Sequence, residues 1–195
     1  MSNCYVATLA DRAVLRVSGE DARSFLQGLI TNDIEKAAGD RAVHAGLLTP
    51  QGKILFDFFV LGDGEGYLLD CPSAEAAPLA QRLKFYRLRA KVDISEEPSL
   101  GVWGAWGGQP SNLPESGRMF PDPRLQAMGF RIVMPKTASA GTLGCAQASE
   151  AEYHKARIEL GVPEGGRDYG YGDTFPHEAL FDQLAGVDFN KGCYV

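Results

Sequence analysis

The feature that most constrains the fold of this chain is a run of three strand candidates joined by short turns. Residues 42–48, 53–61 and 66–71 are rich in apolar and aromatic side chains. Residues 49–52 carry Pro and Gly at the second and fourth positions, which suits a type I turn. Residues 62–64 read Gly-Asp-Gly and indicate a second tight turn. The spacing predicts an antiparallel sheet made from consecutive strands.

A helix is predicted directly after these strands, where it would cover one face of their sheet. It begins near Ser73 and places Leu79, Leu83 and Tyr86 on one side. Residues 92–94 then form one more strand. Strands, a helix and a further strand within a short stretch of sequence indicate an α+β unit.

The rest of the chain shows the same mixture of elements. Three further strands are predicted, over residues 12–17, 100–106 and 130–134. Residues 107–124 are dense in Gly, Pro and Ser and are predicted to be irregular. Ser149 and Glu152 match a capping box that opens another helix. A chain of 195 residues is long enough for one large or two small domains.

The charge and hydropathy of the chain exclude some classes of function. A net charge of −6 argues against a general nucleic-acid coat, because phosphate neutralisation needs a cationic face. No apolar stretch has membrane-spanning length and residues 1–4 do not resemble a signal peptide, so no membrane contact and a cytoplasmic location are predicted. One basic run is either a solvated face or a contact for an anion such as RNA. Its members are Arg82, Lys84, Arg87, Arg89 and Lys91.

The cysteines and histidines do not form recognisable metal or disulfide patterns. The four cysteines lie dozens of residues apart without a Cys-x-x-Cys pair, which predicts neither a zinc knuckle nor a disulfide framework. Cys4, Cys71 and Cys145 are interpreted as small apolar or incidental side chains. The three histidines are also dispersed, so no metal site is predicted.

Residues 165–173 form a glycine-rich loop that also carries Tyr169 and Tyr171. Such a loop lets the backbone approach a flat ligand while aromatic rings stack on it. A mobile surface loop without a ligand is the alternative interpretation.

Asp57 interrupts an apolar strand between Phe56 and Phe58. A carboxyl group buried among aromatic rings should have a raised pKa, which suits proton transfer. If the side chain instead faces solvent on an alternating strand, that argument does not hold.

The last residues of the chain carry the most specific motif. Lys191, Gly192, Cys193 and Tyr194 follow a Gly-Val-Asp-Phe-Asn run at 186–190. This peptide resembles the hallmark of the YgfZ family, folate-binding proteins of iron–sulfur maintenance built on the fold of the glycine-cleavage T-protein. The resemblance implies an α+β fold with a folate-binding domain over 1–42 plus 99–195 and an inserted ferredoxin-like domain over 43–98. The family's hallmark continues into a C-terminal β-barrel, which is missing from this sequence.

The resemblance also implies a function. It points to a tetrahydrofolate-binding accessory protein, or one that binds a one-carbon derivative, working with iron–sulfur assembly or client proteins. Glu178 matches a family glutamate that grips the pterin ring, whose two neighbouring N–H donors suit one carboxylate. Other residues assigned to folate binding are Tyr169, Tyr171, Lys191, Gly192 and Tyr194. Cys193 and Asp57 are the residues expected to carry any chemistry, and the basic run could contact a folate polyglutamate tail.

The ammonium of Lys191 favours a thiolate at Cys193, the form that attacks electrophiles or binds soft metals. One cysteine cannot enclose a cluster that normally takes four ligands, so transient chemistry or a shared site is expected. A cysteine packed at a domain edge is the alternative.

Two further functions stay open at this point. In a folate-dependent aminomethyltransferase, or a related one-carbon transferase, Asp57 would handle the proton. A folate-binding module without catalysis would keep its binding after loss of both Asp57 and Cys193.

Overall fold

A computed structural model describes residues 4–64 and 66–192, and these residues form two five-stranded sheets and three α-helices. The strands are β1 (Tyr5–Thr8), β2 (Arg12–Ser18), β3 (Ala42–Leu48), β4 (Ile54–Gly62), β5 (Gly66–Pro72), β6 (Asp93–Glu96), β7 (Leu100–Trp106), β8 (Arg118–Pro121), β9 (Phe130–Pro135) and β10 (Ala146–Gln147). The helices are α1 (Ala22–Gln27), α2 (Ser73–Tyr86) and α3 (Glu150–Glu159).

The first sheet has the strand order β3-β4-β5-β2-β6 and is antiparallel throughout. Its first three strands are the consecutive strands that the sequence predicted. The second sheet has the order β10-β1-β7-β9-β8, and in it only the β1–β10 pair is parallel.

Alternation along β4 shows how the layers pack. Phe56, Phe58 and Val60 join the apolar cluster under α1 and α2, whereas Phe59 and Leu61 pack toward the second sheet. The first sheet is therefore buried on both faces, between the helices and the second sheet. Burying one such aromatic or aliphatic side chain contributes about 1.5–3 kcal/mol.

The helix starts predicted at Ser73 and at Ser149 are confirmed. α2 begins at Ser73 and buries Leu79 and Leu83 against the sheet. At α3, the Ser149 side chain accepts from the Glu152 N–H while the Glu152 carboxylate accepts from the Ser149 N–H, which completes the capping box.

The segment predicted to be irregular contains one strand. β8 pairs only with β9, at the edge of the second sheet, and ends on Pro121. Proline is tolerated at a sheet edge because its missing N–H faces no partner strand. This strand was not predicted because it is short and the residues around it are rich in Gly and Pro.

The expectation that no disulfide forms is wrong, because Cys4 is bonded to Cys145. β1 and β10 lie side by side in parallel, with Tyr5 opposite Ala146. The two cysteines each precede one of these partners, so the sheet register brings them together across 141 positions of sequence. Cys71 is buried in the core, as an apolar side chain would be.

The predicted domain boundaries stay a prediction. β2, from the first predicted domain, lies between β5 and β6 of the predicted insert within one sheet. Among the described helices, none combines the length and apolar composition needed to cross a bilayer.

Candidate functional site

Asp57 lies on β4 and faces the second sheet, on the same side of the strand as Phe59. Only 7% of Asp57 is exposed. In the β3–β4 register Gly46 is opposite Asp57 and His44 is opposite Phe59, so His44 and Asp57 are diagonal neighbours. His44 Nε2 lies 3.8 Å from Asp57 Oδ2. The sheet thus brings two polar side chains together inside an apolar pair of strands.

The glycine-rich loop is fixed to the start of β4. Gly172 N–H donates to the Ile54 carbonyl at 2.7 Å, and Ile54 N–H donates to the Thr174 carbonyl at 2.8 Å. Within the loop, the rings of Tyr169 and Tyr171 pack edge to face with centroids 6.1 Å apart. These contacts hold the loop against the first sheet, in contrast to a mobile surface loop.

The loop also closes over Asp57. The Tyr171 hydroxyl donates a hydrogen bond to Asp57 Oδ1. A Cβ at Gly165 would lie 2.3 Å from the Tyr171 hydroxyl oxygen and 2.6 Å from Asp57 Oδ1. The backbone at Gly165 therefore approaches this hydrogen bond more closely than any residue with a side chain would allow.

Asp57 is held as a carboxylate. Burial by itself raises the pKa of Asp57, but the nearby imidazole of His44, the charge of Arg12 and the Tyr171 hydrogen bond outweigh burial and lower the pKa to about 2. The expectation of a raised pKa is wrong, because the fold gathers polar groups that the neighbouring phenylalanines do not reveal. Burial and the Asp57 charge raise the pKa of both Tyr169 and Tyr171, so both phenols stay neutral donors.

A buried ion network anchors the loop. Arg12 Nε donates to Asp70 Oδ1 at 2.7 Å, and Arg12 Nη1 lies 3.4 Å from an oxygen of Glu164, the residue before the glycine-rich segment. Arg157 Nε lies 3.2 Å from the other Glu164 oxygen, and Arg157 Nη1 donates to Asp168 Oδ2 at 2.5 Å. Both ends of residues 164–168 are therefore tied to buried guanidinium groups.

Arg131 joins this network from the second sheet. Its Nη1 lies 3.5 Å from Asp70 Oδ2, and its guanidinium lies over the rings of Phe59 and Tyr153, 4.6 Å and 5.6 Å from their centroids. Two aromatic faces and a carboxylate are thus the neighbours that stabilise this buried cation.

Sequence reasoning gave no role to several of these residues. They are Arg12, His44, Asp70, Arg131 and Glu164. Four of them lie within predicted strands, and a charged or polar side chain in a buried strand needs a partner. The presence of a polar side chain in a predicted buried strand therefore indicated that each residue has a partner, although it did not identify the partner.

Glu178 lies in an exposed turn. Its carboxylate accepts a hydrogen bond from the Phe175 N–H at 2.8 Å. Its assignment to the pterin ring stays a prediction.

The side chain of Lys191 contacts the end of α1 and the residues after it. Its Nζ donates to the carbonyl oxygens of Gln27 at 2.7 Å, Ile30 at 2.6 Å and Asn32 at 3.2 Å. A cation is favourable at the end of a helix, where carbonyl groups lack intrahelical partners. Burial lowers the pKa of Lys191. A Cβ built at Gly192 would meet no atom of the described residues within 4 Å, and the predicted site residues Cys193 and Tyr194 lie outside the described residues.

Two clefts reach the residues around Asp57. One, of about 330 Å³, is lined in part by Tyr171. The other, of about 420 Å³, is lined by His44 and by apolar walls that include Pro121 and Val187. Both fall within the range of small-molecule sites, about 300–1,000 Å³. Among the described residues, Glu178 lines neither cleft.

One cluster of described residues has ligand atoms close enough together for a metal ion: Asp11, Glu150 and His154, within 4.8 Å of one another. Arg167 Nη2 donates to Asp11 Oδ2 at 2.7 Å and lies 3.9 Å from Glu150 Oε1. A guanidinium thus already supplies the positive charge that these carboxylates attract.

Comparison with known proteins relates the chain to iron–sulfur assembly factors. It is 35% identical over 96% of its length to the mitochondrial iron–sulfur cluster assembly factor IBA57 homolog of Neurospora crassa and, over the same share, to IBA57 of Homo sapiens. It covers 47% and 59% of these two proteins, so it spans about half the length of the curated relatives that it matches. No family model matches the chain. Membership of the YgfZ family itself stays a prediction.

The comparison of structures confirms the fold. The glycine-cleavage aminomethyltransferase T of Bartonella henselae matches with a TM-score of 0.75 at 16% identity, over 94% of this chain and 58% of that one. The α+β, T-protein-like fold implied by the terminal motif is therefore correct. The predicted cytoplasmic location is corrected, since the curated relatives are mitochondrial proteins.

We expect Gly165→Ala to destabilise the protein by about 1–3 kcal/mol, because the new methyl group overlaps Tyr171 and Asp57. Denaturant unfolding measures the change. Gly170→Ala is the matched control within the same loop, since a Cβ there meets nothing within 4 Å. Equal losses in the two variants would contradict the close packing of Gly165 on this hydrogen bond.

The Asp57 carboxylate should contribute stability that depends on pH. Its folded pKa of about 2 lies below the unfolded value of about 3.9, so its contribution is full above pH 4 and disappears as the pH falls toward 2. The free-energy difference between the wild type and Asp57→Asn should therefore shrink by about 2 kcal/mol between pH 5 and pH 2. Asp182→Asn, at an exposed position, is the control. A difference that does not vary with pH would refute the ionised state.

Proposed function

We propose that this chain acts in the assembly of iron–sulfur clusters, as an accessory protein that binds tetrahydrofolate or a one-carbon derivative. The observation that carries the proposal is the 35% identity over 96% of the chain to proteins named as iron–sulfur cluster assembly factors. Its partners would be proteins of the assembly machinery or the enzymes that receive the clusters. The T-protein-like fold and the clefts near Asp57 support the folate part of the proposal.

The cleft beside His44 is suited to tetrahydrofolate. Its apolar walls match the flat face of a ring system, and Lys36 and Arg41 among its lining residues match the carboxylates of the glutamate tail. When bound, the cofactor would supply one-carbon chemistry, and these residues would bind and orient it. The assignment of Glu178 to the ring donors is a separate part of the proposal, because Glu178 lines neither cleft and its carboxylate also accepts from the Phe175 N–H. A charge-assisted bond from the ring to this carboxylate would contribute about 1.5–3 kcal/mol.

Cys193 would supply a thiolate that contacts iron or a cluster transiently, shared with a partner protein. Lys191 supports this role by fixing the preceding backbone to the end of α1 through three carbonyl groups.

Cys193→Ser should abolish support of iron–sulfur enzymes in cells that lack the wild-type protein, because a hydroxyl does not replace a thiolate as a ligand for iron. The activity of a [4Fe–4S] enzyme per unit of its protein is the measurement. Cys71→Ser is the matched control, since Cys71 is buried and burial raises the pKa of its thiol to about 12.

Titration calorimetry with tetrahydrofolate separates the two parts of this proposal. Binding should be unchanged in Cys193→Ser and weakened in Glu178→Gln. If Cys193→Ser fully restored the activity of the iron–sulfur enzyme, the proposed role of the thiolate would be wrong. If the wild type released no heat of binding with tetrahydrofolate, the proposed folate binding would be wrong.

A one-carbon transferase is the second candidate, because Asp57 is a buried carboxylate on a T-protein-like fold. The surroundings of Asp57 favour a role in ligand binding over a role in catalysis. An effective general base has a pKa near the working pH, whereas the pKa of Asp57 is about 2. Tyr171 engages one of its oxygens and His44 lies near the other.

We therefore expect no tetrahydrofolate-dependent turnover of an aminomethyl or methylamine donor by the purified full-length protein. Release of methylenetetrahydrofolate or ammonia is the measurement, with a glycine-cleavage T-protein as the positive control. Turnover in the wild type that falls about a hundredfold in Asp57→Asn would establish the transferase instead.

A further inference from the structure

The outer face of α2 and the turn after it present two apolar side chains to solvent. Leu79 and Leu83 bury the inner face of this helix. On the outside, Phe85 is 72% exposed and Leu88 is 89% exposed, the largest value among the exposed large apolar residues that the structure describes. Large apolar side chains exposed next to each other mark interaction sites more often than isolated ones do.

Leu88 is also held in an unfavourable backbone conformation. Its φ is +46°, in the left-handed region that costs a residue with a side chain about 1–2 kcal/mol. The turn is fixed by hydrogen bonds from the Ala90 N–H to the Arg87 carbonyl at 2.8 Å and from Arg87 Nη1 to the Val92 carbonyl at 3.2 Å. The backbone is therefore strained at a leucine whose side chain is not buried within the described structure.

A groove lies beside α2, with Phe85 among its lining residues. It has a volume of about 360 Å³ and is lined by Phe56, Pro78, Gln81, Arg82 and Phe85. Three of the five lining side chains are apolar, so the groove can take an apolar side chain of a partner.

The charged residues of this part of the chain, from the middle of α2 through the turn after it, are all cations. The basic run supplies five cations, and between residues 76 and 92 the sequence contains no acid, although the whole chain has a net charge of −6. Lys91 Nζ pairs with Glu20 at 2.6 Å. Among the described residues, no ion pair involves Arg82, Lys84 or Arg89. Neighbouring like charges repel, and an anionic partner would relieve that repulsion.

We propose that this surface, made of Arg82, Lys84, Phe85, Leu88 and Arg89 with the adjacent groove, binds an acidic segment of a partner protein that carries an apolar residue. The acidic side chains pair with the cations while the apolar side chain enters the groove beside Phe85 and covers Leu88. RNA fits less well, because bases stacked on Phe85 and phosphates paired with the cations would leave the exposed side chain of Leu88 uncovered. A bilayer fits less well, because a concave groove receives a single side chain better than a flat lipid surface.

The test uses fluorescence anisotropy of the full chain with three probes at 50 and 200 mM salt. The first probe is a pool of twelve-residue Asp/Glu peptides with a central Leu or Phe, and the second is the same pool with a central Ala. The third probe is a single-stranded RNA. In a separate measurement, binding to vesicles containing phosphatidylserine is followed by sedimentation. We expect the apolar-centred pool to bind at least about tenfold more tightly than each other probe.

Two variants and one control locate the binding. Leu88→Asn removes the apolar side chain while suiting a left-handed backbone, so binding should fall about tenfold while the melting temperature stays equal or rises. Arg82→Gln with Arg89→Gln should remove most of the salt dependence. Lys155→Gln with Ile158→Gln removes one cation and one exposed aliphatic side chain on α3, away from the proposed surface, and should leave binding unchanged.

Stronger binding of RNA or vesicles would overturn the proposal in favour of those ligands. Equal binding of the Leu/Phe and Ala pools, or no binding of either, would also overturn it. These results are independent of the iron–sulfur proposal, since none of the probes contains folate, iron or a thiol.

Discussion

The structure depends on the ion network buried between its two sheets. Arg12 on β2, Asp70 on β5, Arg131 on β9 and Glu164 before the loop come from four distant parts of the chain. Buried pairs of this kind add little net stability over apolar packing, but loss of one member leaves an unpaired charge at a cost of about 3–5 kcal/mol. A one-residue slip of β2 would turn Arg12 toward the helices, away from all these partners. The network therefore specifies register and layer arrangement more than it adds stability.

The same network fixes the charge at the candidate site. Arg12 lies close enough to Asp57 to help lower its pKa, while Glu164 holds the start of the loop whose Tyr171 donates to that carboxylate. Burial alone would lower the pKa of Arg12, but the charges of Asp70, Glu164 and Asp57 outweigh it and raise that pKa. Each charge is thus stabilised by the others. A permanent carboxylate with engaged oxygens is better placed to orient a ligand than to take a proton from it.

Local patterns in the sequence predicted the strands β3 to β5, the start of α2 at Ser73 and the capping box at Ser149, because turn residues and caps act over a few positions. The T-protein-like fold came from the terminal motif. What could not be predicted depends on register between distant strands. The bond from Cys4 to Cys145 follows from β1 and β10 lying in parallel. The low pKa of Asp57 likewise follows from His44, Arg12 and Tyr171, which the linear sequence keeps apart.

The alternation of β4 places the two candidate surfaces on adjacent residues. Asp57 faces the glycine-rich loop, whereas Phe56 belongs to the helix-side cluster and lines the groove beside α2. The loop reaches both, since the Phe56 ring lies 6.4 Å from the ring of Tyr171, which bonds Asp57. A partner that changes the packing of Phe56 would therefore act on the tyrosine that covers the carboxylate. Any such coupling must be reciprocal, so a ligand that alters Tyr171 would change the affinity of the groove by the same factor.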